Sequence, residues 1–220
     1  MELLEGITTR RSFRGFKSTP IPEETVKKIF QAVSNSPSYT NTQPWEVAVV
    51  SGRKKDELSK ILYDLAAQNA VTNPDIPMPQ AWPPKMEKRT GEHGARRLAA
   101  LGVVRDDAEG REKLRLMNFE FYDAPCALFL FTDGALTTWS IFDMGLFAQN
   151  VILAAHAFGL GSCLQASLSN YPDAVREFLG MPKAKKLIIG ISLGYPDIAA
   201  KLNTYRSVKL NPDDFVREYA

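Results

Sequence analysis

Residues 139–158 read WSIFDMGLFAQNVILAAHAF and run directly into Gly159-Leu160-Gly161-Ser162-Cys163. The spacing predicts one long helix that is apolar on nearly every face. Such a helix belongs in a core or in a large subunit interface, not on a solvated surface. Asp143, Gln149, Asn150 and His156 interrupt it, which argues against a membrane span. The glycines close the helix, and the small residues after them let backbone approach something closely.

Three β-rich runs surround this helix: Trp45 to Val50, Cys126 to Thr132 and Lys186 to Leu193. Helices are expected over residues 2–8, from Pro22 with Val26, Ile29, Phe30 and Val33 on one face, and over 54–70, 86–101 and 109–121. A last helix is expected after the cap Asn211-Pro212-Asp213-Asp214. No strand–helix–strand unit recurs, so the expected fold class is α+β in preference to α/β. Length and the absence of repeats suggest a single domain over 1–220. Residues 73–85 hold five prolines and few periodic apolar residues and read as a loop, which opens the segment 73–123. A loop that long suits a lid or pocket wall better than a plain connector.

Bulk properties narrow the classes. Lys and Arg total 27 and Asp and Glu 25, for a formal charge of +2. That balance predicts no nucleic-acid partner and no anionic membrane surface. Cys126 and Cys163 suggest no disulfide framework, and the acidic opening Met1–Glu5 lacks a leader's apolar stretch, so a reduced, cytoplasmic setting is expected. His93, His156 and the cysteines show no ligand spacing, so no metal is expected. Gly190-Ile191-Ser192-Leu193-Gly194 matches a hydrolase elbow in letters only. It lies inside a strand-like run, and no histidine follows it. Gly159 and Gly161 lack the third glycine of a dinucleotide fingerprint, since Leu164 stands there.

Four segments carry candidate chemistry. Arg10-Arg11-Ser12-Phe13-Arg14 sets three guanidiniums and a hydroxyl within five residues. Guanidinium forks suit phosphate, and alternation places Arg10, Ser12 and Arg14 on one face of an extended segment. A solvated basic patch reads equally from these residues alone. Ser36-Pro37-Ser38-Tyr39-Thr40-Asn41-Thr42-Gln43-Pro44-Trp45 offers hydroxyls and amides for the edge of a polar heterocycle, or simply a turn. The third is Gly159 to Ser167, with its small residues. The fourth is Tyr205-Arg206-Ser207, in an extended stretch.

Taken in order, RRSFRGF, SPSYTNTQPW, the apolar helix into GLGSC, and LIIGISLGYPD with an arginine downstream resemble the nitroreductase family of FMN proteins, nearly end to end. The resemblance implies a central, mostly antiparallel sheet flanked by helices, in a homodimer with exchanged terminal segments and FMN at the interface. It implies that Arg10, Ser12 and Arg206 hold the phosphate and that Arg11 supports the ribityl or phosphate end. Arg14 would reach the pyrimidine edge, where a fixed guanidinium steadies the negative charge of reduced flavin. Ser38 and Asn41 would contact the flavin of the other subunit. The backbone of Leu164, Gln165, Ala166 and Ser167 would line the ring's remaining edge. NADH or NADPH would supply electrons by ping-pong turnover to a small aromatic, quinone-like or activated-alkene acceptor. Reductive dehalogenation, flavin breakdown or flavin storage are alternative outcomes on the same scaffold. Tyr39 departs from the small residue that many relatives carry there.

Overall fold

The computed structural model describes residues 1–219. Its helices are α1 (Leu3–Thr9), α2 (Glu23–Val33), α3 (Gly52–Ala67), α4 (Pro84–Leu101), α5 (Ala108–Leu116), α6 (Thr138–Ala157) and α7 (Pro172–Leu179). Its strands are β1 (Glu46–Ser51), β2 (Cys126–Asp133), β3 (Gly161–Gln165) and β4 (Lys185–Gly194). The strands form one sheet in the order β1-β2-β4-β3, every pair antiparallel. The class is therefore α+β, as the sequence implies.

β2 explains the layering. Alternate residues of a strand face opposite sides. Ala127, Phe129 and Phe131 join Leu58, Leu62 and Ala66 of α3 and Val175 of α7 in one core. Cys126, Leu128 and Leu130 join Ile29 and Val33 of α2 and Met144, Phe147 and Val151 of α6 in the other. A strand buried on both faces reads as a continuous apolar run, which is why CALFLFT was legible. No described helix is long and apolar enough to cross a membrane.

Four expectations change. The small-residue run after Gly159 is a strand, β3, which GSCLQ does not announce because it contains no β-branched residue; pairing with β4 makes it one. α7 was not foreseen, although Pro172 stands at its first turn. The helix expected over 109–121 stops at Leu116, since Phe121, Tyr122 and Asp123 take positive φ of 55°, 55° and 65°. The helix expected after Asn211 is a single 3₁₀ turn, Pro212–Asp214. Its capping box forms, but Phe215 and Val216 beyond it lie exposed with nothing to pack on.

One buried ion network anchors the start of the proline-rich loop. Arg176, on α7, donates to Asp75 at 2.5 Å, to Asp173 at 2.7 Å and to the Lys185 carbonyl at 3.0 Å. Asp75 also accepts the Leu187 amide at 2.8 Å, and Asn73 donates to Asp173 at 2.6 Å. Removing one partner of a buried pair strands the other. Arg176→Ala is therefore expected to lower unfolding stability by about 3 kcal/mol in urea titration. An unchanged midpoint would show that the network contributes nothing.

Candidate functional site

After α1 the chain runs extended. Phe13 and Phe16 point into the core beneath α3, while Arg10, Ser12 and Arg14 stay half-buried toward the outside. Arg11 lies over the Phe13 ring, 4.7 Å from its centroid. Ser12 bridges Ser162 of β3, and the Phe13 amide donates to the Ser162 carbonyl at 2.9 Å. This approach demands Gly161, where a Cβ would stand 2.8 Å from the Phe13 ring. Farther along, the Lys17 amide donates to the Tyr195 carbonyl at 2.9 Å.

Asn203 fastens the other end of the chain to this segment. It is 3% exposed. Its carboxamide oxygen accepts the Arg14 amide at 2.6 Å, and its nitrogen donates to the carbonyls of Gly15 at 2.8 Å and Asp197 at 2.7 Å. The Gly15 carbonyl accepts the Asp197 amide at 3.0 Å. A Cβ on Gly15 would fall 2.6 Å from that of Ala200, so only glycine lets the two strands of chain meet here. Three residues past Asn203 comes Arg206.

The outcome is a cleft of about 480 Å³. Arg10, Arg11, Ser12 and Arg14 line it from the N-terminal segment, Arg89, Thr90 and His93 from α4, and Tyr205, Arg206 and Lys209 from the C-terminal stretch. No carboxylate lines it. Burial and then Arg206 hold the Arg11 guanidinium below its ordinary range. Burial, followed by Arg14, Arg97 and Lys209, pushes the His93 imidazole down. Cations this crowded, without acids among them, make a preformed anion site.

The remaining expected residues lie elsewhere. Ser38 and Asn41 do not line the cleft. They sit on a tight loop at the start of α6, where both oxygens of buried Asp143 accept the Tyr39 amide at 3.1 Å and Ser38 Oγ accepts the Gln43 amide at 2.9 Å. Thr40, Asn41 and Gln43 have φ of 47°, 59° and 46°, an unusual density of left-handed residues without glycine. Tyr39 is exposed and stacks on Trp139 with ring centroids 5.7 Å apart. Leu164 to Ser167 also lie outside the cleft lining, at the end of the strand that Ser12 joins.

Gln165 and Ser167 turn their side chains toward Asn118. The Gln165 amide donates to the Asn118 carbonyl at 3.0 Å, and Ser167 Oγ donates to Asn118 Oδ1 at 3.1 Å. Ser192 donates to Gln165 Oε1, which accounts for the serine of the false elbow. The Tyr122 hydroxyl donates to Asn118 Oδ1 at 2.7 Å. Burial pushes that phenol up, and Arg14 and Arg97 partly oppose the shift. Ala166, in the turn between these anchored side chains, is exposed. Asn118 and Asn203 escaped the sequence reading, and Asp143 stood out there only as an interruption of the apolar helix, because a single amide or carboxylate carries no periodic signal.

Comparison with known proteins identifies the family. The Nitroreductase family profile matches residues 7–195. Nitroreductase NfnB of Mycolicibacterium smegmatis is 38% identical over 91% of this chain and 85% of its own. The 4-nitrobenzoate reductase of Pseudomonas putida is 31% identical over 91% and 88%. Among solved structures, the FMN-dependent nitroreductase NfnB from Mycobacterium smegmatis in complex with NADPH superposes with a TM-score of 0.94, at 35% identity, covering 99% of this chain and 97% of that one. The chain belongs to the nitroreductase family.

Two outcomes are expected of the site itself. Asn203→Ala leaves the Arg14 amide unpaired and takes one of two donors from each of the Gly15 and Asp197 carbonyls, and thermal unfolding should show a loss of about 1–3 kcal/mol; a loss below a few tenths would mean that water replaces the amide. His93, neutral in the folded cleft, should titrate below 6.5 by proton NMR. Its unfolded form takes the proton first, so this residue's contribution is intact above pH 6.5 and lost as pH falls from there toward the folded midpoint. A midpoint at or above 6.5 would contradict the crowded-cation reading.

Proposed function

We propose that the protein is an FMN-dependent NAD(P)H oxidoreductase that reduces nitroaromatic acceptors and works as a homodimer. One observation carries the reading: Arg10, Arg11, Arg14 and Arg206 converge on a cleft without carboxylates. A phosphate monoester carries close to two negative charges at neutral pH and accepts several hydrogen bonds, which fits that donor set. Relatives described as FMN-dependent and as acting on 4-nitrobenzoate support the same assignment.

In this reading Arg10, Ser12 and Arg206 hold the phosphate, and Arg11, braced on Phe13, supports the ribityl end. Arg14 faces the pyrimidine edge, where its charge stabilises negative charge that develops during reduction. The backbone of Leu164, Gln165, Ala166 and Ser167 lines another edge, held in register by Asn118. When bound, FMN supplies the hydride chemistry; the protein orients it and excludes water. Donor and acceptor take turns on one open face, so turnover is ping-pong, and quinones and activated alkenes are further acceptors.

Dimerisation follows from what the isolated chain leaves uncovered. Trp139 and Phe142 of α6 are about 60% exposed, and the tail presents Val208, Phe215 and Val216 to solvent. A second copy would cover these groups and bring Ser38 and Asn41 to the other subunit's cofactor. Two free, buried cysteines suit a cytoplasmic location.

Protein expressed with ample riboflavin should be yellow, bleach anaerobically with NADPH and recover its colour with 4-nitrobenzoate. A colourless product that refuses added FMN would end this reading. Arg10→Ala should weaken FMN binding by roughly 10- to 100-fold, the scale of one charge-assisted hydrogen bond. Fluorescence titration measures it, and unchanged affinity would remove Arg10 from the phosphate site.

A further inference from the structure

One titratable group in the cleft has no part in the cofactor scheme above. His93 lies on α4, among cations from three parts of the chain. The N-terminal segment contributes Arg10, Arg11 and Arg14, the tail Arg206 and Lys209, and α4 itself Arg89. Arg97, one turn farther along α4, adds to the field on the imidazole. No carboxylate lines the cleft, and Glu92, next to His93 in the sequence, is paired with Arg96 at 3.0 Å.

The ring is held from one side. The Tyr205 hydroxyl and His93 Nδ1 are 3.0 Å apart, and the two rings meet with centroids 5.4 Å apart. Tyr205 directly precedes Arg206, so α4 is tied at this point to the arm that carries that guanidinium. Nδ1 is thereby taken, and Nε2 has no hydrogen-bond partner among the described residues. A neutral imidazole has one N–H, whereas an imidazolium donates from both nitrogens. Protonation lets Nδ1 donate to the Tyr205 oxygen while Nε2 donates to an anion. Desolvation and the surrounding cations oppose that proton in the protein alone. A phosphate monoester brings about two negative charges into the same cleft and favours the charged ring. His93 is exposed enough to exchange a proton with water.

We propose that His93 is a further ligand of the phosphate in this cleft and takes up one proton from solvent when FMN binds. The assignment rests on the reading of the cleft as the FMN site and adds to it a dependence on pH. The proton goes onto the imidazole, and none leaves the cofactor, because above about pH 6.5 the monoester is mostly a dianion already. Between the midpoint of His93 in the protein alone and its higher midpoint in the complex, binding and proton uptake are linked. FMN is therefore held more tightly toward the acid end of that window, and affinity falls as pH rises through the midpoint in the complex.

Histidine NMR tests this directly, since the chain has two histidines. His93 should titrate below 6.5 in the protein alone and with riboflavin, which lacks the phosphate, and above 6.5 in the FMN complex. His156 does not line the cleft and lies 2.9 Å from Thr9 Oγ1; its midpoint should move by less. By fluorescence titration, FMN affinity should weaken about three- to tenfold between pH 6.5 and 8. In His93→Gln, which keeps a side-chain donor but no titrating ring, affinity should stay level over the same range. A His93 midpoint unmoved by FMN, an equal shift of His156, or a His93→Gln profile as steep as wild type overturns the proposal. If FMN is refused at every pH, the cofactor reading fails separately. Inorganic phosphate then decides the role of His93: a midpoint that phosphate raises supports it, and one that phosphate leaves unmoved overturns it.

Discussion

The carboxamide of Asn203 is the constraint on which the site depends. It satisfies one amide and two carbonyls in a place that water barely reaches, and it does so between segments at opposite ends of the sequence. Without it, Arg206 has no fixed relation to Arg10, Arg11 and Arg14. Four guanidiniums do not gather spontaneously, since each raises the electrostatic cost of the next. The fold holds them by uncharged means: the Phe13 and Phe16 rings sunk in the core, the Ser12–Ser162 bridge, and the Gly15 contact that admits no side chain. The resulting field is the stored work that an anion releases on binding.

The antiparallel sheet supplies the rigidity behind this. β2 is central and packed on both faces, so it cannot shift without disturbing two cores at once. β3 lies at the sheet's edge, paired on one side with β4. Its other side is where Ser12 and Phe13 attach, and an edge strand is the one part of a sheet that can accept such an addition. The edge position of β3 is therefore what places it beside the basic segment.

Legibility in the sequence followed the number of residues that share a physical demand. β2 and α6 were plain because burial on several faces constrains many positions together. The arginine cluster was visible, yet its residues alone left open a solvated patch, and no local pattern showed that Arg206 would line the same cleft. The helix after Asn211 was over-read, because a good cap starts a helix but cannot sustain one without a surface to pack on. Asn118 and Asn203 were invisible for the opposite reason. Each acts through partners far along the chain, and no local pattern records such a bond. The proline-rich stretch announced a loop, but not that Arg176 and Asp75 would pin its beginning to the sheet.

The separation of Arg14 from Asn203, 189 residues, bears on biosynthesis. At typical translation rates the arginine cluster leaves the ribosome roughly 10–40 s before the amide that orders it. During that interval the nascent chain carries its clustered guanidiniums on an unanchored strand. The basic cleft is thus assembled late, only in polypeptides synthesised through Asn203 and Arg206, and shorter products emerge with the charges but without the cleft.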